Sequence, residues 1–178
     1  RRAHAELVEE GVEALLPSIG VMVEVPAAVY LSAELAKRVD FLSVGSNDLT
    51  QYLLAVDRNN SSVAELYNSY HPAVLQALAN VASAGHAAGK PVSICGELAG
   101  DPGAAVLLMA MGYDSLSMNA TNLPKVKSVL RSVSKVEADA LLGAGMAMHE
   151  IEDIRGAVEA LFEEKGITRL FRNRITQK

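Results

Sequence analysis

The stretch "VDFLSVGSND", residues 39–48, decides how the sheet is built. At alternate positions Leu42 and Val44 are apolar, whereas Ser43, Gly45 and Asn47 are small or polar, so this strand has one greasy face and one that is not. The same division recurs in "KPVSICGE" (90–97), where Val92 and Ile94 oppose Ser93 and Cys95. It recurs again in "YDSLSMN" (113–119), where Leu116 and Met118 oppose Ser115, Ser117 and Asn119. A fourth segment, "GVMVEVP" (20–26), puts Met22 and Glu24 on the second face. Central strands of a doubly wound sheet are covered on both faces and read apolar on both. A narrow polar face, with helices on the other side only, is instead the inner wall of an α/β barrel of the (β/α)8 TIM type.

Each strand segment leads into a helical pattern, and strand alternating with helix implies a parallel sheet. The expected helices are 27–38, a short one near 49–56, 72–88 opened by Pro72 and closed near Gly89, and the run after Asp101 and Pro102 that stops at Gly112. "TNLPKVKSVLRSV" follows the fourth strand; Ser134 and Glu137 then form a capping box ahead of two terminal helices. Four βα units over 18–132, helices over 133–168 and a tail over 169–178 amount to the second half of a barrel, so the chain reads as a fragment.

Composition narrows the function. The chain has 178 residues, half of them hydrophobic, and no apolar run approaches the roughly 18 residues of a membrane span. No signal-type block follows the first residues, and a cytoplasmic setting is expected. One cysteine excludes an internal disulfide framework, and a net charge of −5 argues against nucleic acid as a partner.

Barrel enzymes collect reacting groups at the carboxyl ends of their strands. Here Glu24, Asp48 and Cys95 stand at three of the four ends. Two carboxylates from neighbouring strands suit magnesium, which takes one or two protein carboxylates and leaves positions for water and substrate oxygens. Asn47 offers an amide, Gly45 permits close backbone approach, and Arg58 supplies a forked donor for phosphate oxygens. Cys95 has no His near it in sequence to take its proton, and a thiol that keeps its proton suits proton donation to an enolate.

Plainer roles compete for the same residues. "DLTQ" fits a helix cap with Asp48 and Gln51, Glu24 fits a solvated strand end, and Cys95 fits a small buried filler. Arg58 fits a polar turn with Asp57, Asn59 and Asn60, and His71 reads as the residue leading into a helix. The basic end, Arg169, Arg172, Arg174 and Lys178, reads as a frayed tail.

Taken together, "VMVEVPAA", "VDFLSVGSNDLTQYLLAVDRNN", "YHPAVL", "ICGELAGDP" and "LSMN" closely resemble the carboxyl-terminal barrel of enzyme I of the phosphoenolpyruvate-dependent phosphotransferase system. Pyruvate phosphate dikinase and phosphoenolpyruvate synthase have a related barrel. The resemblance implies Glu24 and Asp48 as Mg2+ ligands, Asn47 and Arg58 as phosphate-binding residues, and Cys95 as the acid that protonates enolpyruvate. It implies phosphoryl transfer from phosphoenolpyruvate to a His of a separate domain, then to a small HPr-like phosphocarrier protein. "LSMNATNLP" and "LLGAGMAM" look more like the nitrogen-linked branch than the sugar branch.

Nothing in the chain matches a phosphorylatable "Thr-x-Gly-Gly-x-x-x-His", so the chain alone is expected to be inactive. Half a barrel leaves strand edges bare, and a homodimer is expected. Two other readings stay open: a Mg2+-dependent aldolase or lyase of pyruvate-like enolates, and a non-catalytic dimerisation or sensing module.

Overall fold

The computed structural model describes residues 2–170. Four parallel strands lie in sequence order: β1 (Gly20–Val23), β2 (Phe41–Gly45), β3 (Val92–Cys95) and β4 (Ser115–Ser117). Each is shorter than the segment expected for it. Register aligns Met22 with Ser43, Ser43 with Ser93, and Ser93 with Ser115, so each rung crosses the whole sheet.

The two faces differ as the alternation requires. Val23, Leu42, Val44, Val92 and Ile94 are fully buried beneath helices, whereas Met22 is exposed and Ser115 and Ser117 face solvent. Four parallel strands in consecutive order, clad on one side, form part of a (β/α)8-type wall. No described helix is long and apolar enough to cross a membrane.

The cladding helices follow local rules. α1 (Arg2–Glu9) precedes β1 and buries none of its residues. Between β1 and β2 the chain forms α2 (Pro26–Tyr30) and α3 (Ser32–Ala36), where one continuous helix was expected. Leu31 breaks the run at φ −98° and ψ 4°, and the Ser32 hydroxyl donates to the Val29 carbonyl at 2.8 Å. A serine that satisfies a nearby carbonyl in this way competes with the helical ladder.

α4 (Ser46–Leu54) begins directly after β2. α5 (Pro72–Ala87) starts on His71, whose Nδ1 accepts the Ala73 N–H, and its Val74, Leu78, Val81 and Gly85 form the buried stripe. Gly85 is there for contact: a Cβ on it would lie 2.2 Å from Val92 Cγ2.

α6 (Pro102–Met111) is capped by Asp101, which accepts from the N–H groups of Gly103 and Ala104, and is stopped by Gly112 at φ +89°. α7 (Leu123–Ser132), α8 (Lys135–Met146) and α9 (Ile151–Glu164) complete the shell. The Ser134–Glu137 capping box is present, and Ile154, Val158 and Phe162 anchor α9 in the core. Of the basic end, Arg169 lies in a short 3-10 turn, while Arg172, Arg174 and Lys178 lie outside the described residues.

Candidate functional site

The carboxyl ends of the strands form one rung. Gly45 pairs with Cys95 and Cys95 with Ser117, while Val23 pairs with Val44, which brings Glu24 level with Gly45. A Cβ placed on Gly45 would stand 2.6 Å from Glu24 Oε1 and 2.7 Å from its Cγ. The Glu24 side chain therefore lies across the bare backbone of β2, in space that any residue but glycine would fill.

Asn47 and Asp48 do not end a strand, as the alternation suggested; both lie in the first turn of α4. The chain leaves the extended region at Gly45 (φ −87°, ψ 89°), and no side chain caps the helix it enters. Asp48 is therefore not the cap that "DLTQ" suggested. Gln51 serves differently: its Oε1 accepts the Arg58 N–H at 3.3 Å and ties the following loop to α4. First-turn N–H groups without a cap attract anions.

The first two residues of α4 reach across to β3. Ser46, 1% exposed, donates its hydroxyl to the Cys95 carbonyl at 2.7 Å, and Asn47 Oδ1 accepts the Glu97 N–H at 3.0 Å. Between these two contacts sits Gly96 at φ +106°, where a Cβ would meet Ser46 Oγ at 2.4 Å and Asn47 Oδ1 at 2.9 Å. Only glycine suits both the backbone angle and the space. Because a backbone N–H must meet an acceptor, the amide oxygen of Asn47 is committed and its NH2 remains as a donor.

Cys95 and Asn47 line an open cavity of about 300 Å³ with Gly96, Glu97, Ser117, Met118, Asn119 and Asn122. Cys95 is a free, half-buried thiol rather than sealed core filler. None of Glu24, Gly45, Asp48 and Arg58 lines it: Gly45 adjoins Cys95 along the rung with Glu24 beyond it, and Asp48 follows Asn47 in α4. Arg58 is exposed in the polar loop after α4, where Asp57 Oδ1 accepts the Asn59 N–H. That loop is also pinned by Tyr67, whose hydroxyl donates to the Asn47 carbonyl at 3.3 Å.

Neither the Glu24 nor the Asp48 carboxylate has a hydrogen-bond or ion-pair partner among the described residues, and both are half-buried. Among the described residues no group of three or more His, Cys, Asp or Glu is arranged to hold a metal. Glu24 and Asp48 each offer carboxylate oxygens, the hard ligand type that magnesium takes from proteins one or two at a time.

Glu97 also borders a second depression with Tyr67, Asn68, Ser69, Tyr70, Asp101 and Arg155. There the Tyr70 hydroxyl donates to Asp101 Oδ1 at 2.5 Å, and the Arg155 guanidinium lies 5.1 Å from the Tyr70 ring centre. Burial, reinforced by the Asp101 carboxylate, raises the Tyr70 hydroxyl well above its ordinary pKa and keeps it a neutral donor.

Sequence reasoning missed Ser46, Gly96, Glu97 and Asn122 as part of this site. For Gly96 the signal was available in "ICGE", a glycine directly after a strand whose last residue carries a reactive group. For Ser46 nothing local marks the role, because its partner lies 49 residues away.

The family model described as "PEP-utilising enzyme, PEP-binding domain" matches residues 1–135. The chain is 45% identical over 172 residues to a "Phosphoenolpyruvate-dependent phosphotransferase system" protein of Escherichia coli K12, covering 96% of this chain and 23% of that protein. It is 43% identical over 166 residues to the phosphoenolpyruvate-protein phosphotransferase of Haemophilus influenzae, covering 92% and 28%. The corresponding protein of Geobacillus stearothermophilus is 41% identical over 171 residues, covering 91% and 29%. The chain therefore spans roughly a quarter of the length of these curated relatives. A citrate lyase of Burkholderia xenovorans superposes on 95% of this chain and 61% of its own with 16% identity and a TM-score of 0.48, too distant to bear on the fold. By the family match and these identities, the chain belongs to the PEP-binding domain family of the PEP-utilising enzymes.

Proposed function

We propose that this chain contributes the second half of a phosphoenolpyruvate site in a phosphoenolpyruvate-protein phosphotransferase. The observation that supports this most is the rung of Glu24, Gly45 and Cys95, with Asn47 offering an amide donor beside the thiol. Glu24 and Asp48 would hold Mg2+, whose charge, when bound, offsets that of the phosphoryl oxygens and the enolate.

The remaining work falls to residues of this chain. The Asn47 NH2 and the uncapped N–H groups of α4 bind phosphate oxygens, and Arg58 approaches on its tethered loop to neutralise charge as the phosphorus leaves the enolate oxygen. Cys95 then donates its thiol proton to the methylene carbon of enolpyruvate, giving pyruvate and a thiolate that water reprotonates.

The phosphoryl group would pass to a His of another domain and on to an HPr-like phosphocarrier. This chain by itself would not sustain turnover, since it offers no "Thr-x-Gly-Gly-x-x-x-His" acceptor. The motif "LSMNATNLP" favours the nitrogen-linked branch. Exposed Leu15, Ile19, Tyr30 and Leu31, in the segments that flank the edge strand β1 in sequence, favour association, as a homodimer or with further barrel strands.

The test is the natural gene product carrying this sequence, incubated with Mg2+ and phosphoenolpyruvate labelled in its phosphoryl group. Acid-labile label on histidine is expected, and Asn47→Ala or Arg58→Ala should reduce its rate about 100-fold or more. Label transfer unaffected by either change would reject the assignment.

A further inference from the structure

The contacts at the start of α4 bear on how the thiol is aimed, a question that rests on the reading above. Cys95 is the last residue of β3, flanked by Gly45 and Ser117, and beyond it the strand ladder stops. Its carbonyl is held by the Ser46 hydroxyl at 2.7 Å, and that hydroxyl belongs to a residue 1% exposed. On the far side of Gly96, Asn47 holds the Glu97 N–H.

Gly96 is pressed against both side chains, so the peptide units on either side of it are clamped between β3 and α4. Ser46 touches none of the cavity, whereas Asn47 lines it. The two neighbours therefore divide the labour: one faces substrate, and the other faces the backbone of the proton donor. The serine hydroxyl gains no other partner, so its contribution is confined to the Cys95 carbonyl among the described residues.

We infer that Ser46 is a positioning residue for the proton-transfer step, fixing the backbone of Cys95 so that the thiol proton meets the methylene carbon. In that step the S–H bond breaks, the enolate electron pair forms the C–H bond, and the sulfur retains its electrons as a thiolate. Removing the hydroxyl leaves the phosphate-binding groups in place but lets the strand end shift. A displacement on the order of 1 Å from a reacting geometry costs about 100-fold in rate.

The experiment follows exchange of the pyruvate methyl protons with deuterium oxide by NMR, using the natural gene product with Mg2+ and inorganic phosphate. Ser46→Ala is expected to slow exchange about 10- to 100-fold while the KM for phosphoenolpyruvate in overall turnover stays within about twofold. Ser46→Thr, which keeps a hydroxyl, is expected to restore exchange to within about threefold, and Ser46→Ala should add nothing further to a Cys95→Ala background.

Exchange within about twofold of the unaltered protein in Ser46→Ala, with Cys95→Ala inactive, overturns the positioning role and leaves the assignment of Cys95 standing. A KM that rises in step with the loss, or no recovery in a folded Ser46→Thr protein, also overturns it, since general loosening of the site would then be the cause. Full exchange in Cys95→Ala overturns the role of the thiol itself, and the inference with it.

Discussion

The two ends of the same four strands treat acidic residues in opposite ways. At the amino ends, Asp40 precedes β2 and its Oδ2 accepts the Ile19 N–H at 2.8 Å, while its own N–H donates to the Ile19 carbonyl at 2.8 Å. Asp114 precedes β4 and repeats the device: its Oδ2 accepts the Val92 N–H at 2.8 Å and its N–H donates to the Val92 carbonyl at 2.9 Å. Each aspartate staples a strand to its neighbour. At the carboxyl ends Glu24 and Asp48 have no such partner among the described residues. Carboxylates satisfied by the protein stabilise it; carboxylates left unsatisfied are available to a cation. The division of a barrel into a stability end and a reaction end is thus written in hydrogen bonds.

Substitution at the two ends should separate activity from stability. Glu24→Gln or Asp48→Asn is expected to lower phosphoenolpyruvate-dependent phosphorylation about 1,000-fold or more, with the thermal midpoint within about 1 °C of the unaltered protein. Asp114→Ala should do the reverse. Its carboxylate is half-exposed, so the cost is expected near 1–2 kcal/mol by denaturant titration, with turnover retained. A large stability loss in Glu24→Gln would erase the contrast.

Gly45 and Gly96 sharpen it within the reaction end. An alanine at Gly45 collides with the Glu24 side chain from Cγ to Oε1, which can rotate away, so Gly45→Ala is expected to cost about 100-fold in activity but less than about 1 kcal/mol in stability. Gly96→Ala combines φ +106° with contacts to Ser46 and Asn47, and should lose about 1–3 kcal/mol as well as activity. Equal stability losses would show that the Glu24 side chain cannot move aside. Circular dichroism melts beside phosphorylation rates distinguish the two.

The smallest effect concerns acid. The backbone bond from Val92, aided by His86, holds Asp114 below the usual carboxylate range, and bonds from Lys165 and Ser134 lower Glu137 to about 2. Folded values below unfolded ones mean that the unfolded chain binds more protons. Both groups therefore contribute stability fully above about pH 4.5, and it is lost as pH falls toward 2. Thermal midpoints between pH 2 and 6 should rise with pH, and Glu137→Gln should flatten that rise slightly, since the group is on the surface.

What the sequence made legible was local. Period-two alternation assigned the faces of all four strands, and the Asp101 cap, the Ser134–Glu137 box and the His71–Pro72 helix start all depend on residues within four positions of one another. Asp48 was expected at a strand end because the helix that actually starts at Ser46 carries no side-chain cap to mark where the strand stops. The long helix expected over 27–38 failed at Leu31 because Ser32 turned back to Val29. Ser46 with Cys95, Asn47 with Glu97 and Tyr67 with Asn47 are pairs that only the folded sheet creates. The shared "DFLS" and "DSLS", residues 40–43 and 114–117, were open to inspection, yet their stapling role needs the partner strand to be known.

Manganese, whose bound and free forms differ in electron paramagnetic resonance, tests the two unsatisfied carboxylates most directly. Titrated into the natural gene product carrying this sequence, with phosphoenolpyruvate present, it should fill one tight site per chain. Glu24→Gln and Asp48→Asn should each weaken that site at least about tenfold. Undiminished affinity in either variant would mean that these carboxylates do not share a cation.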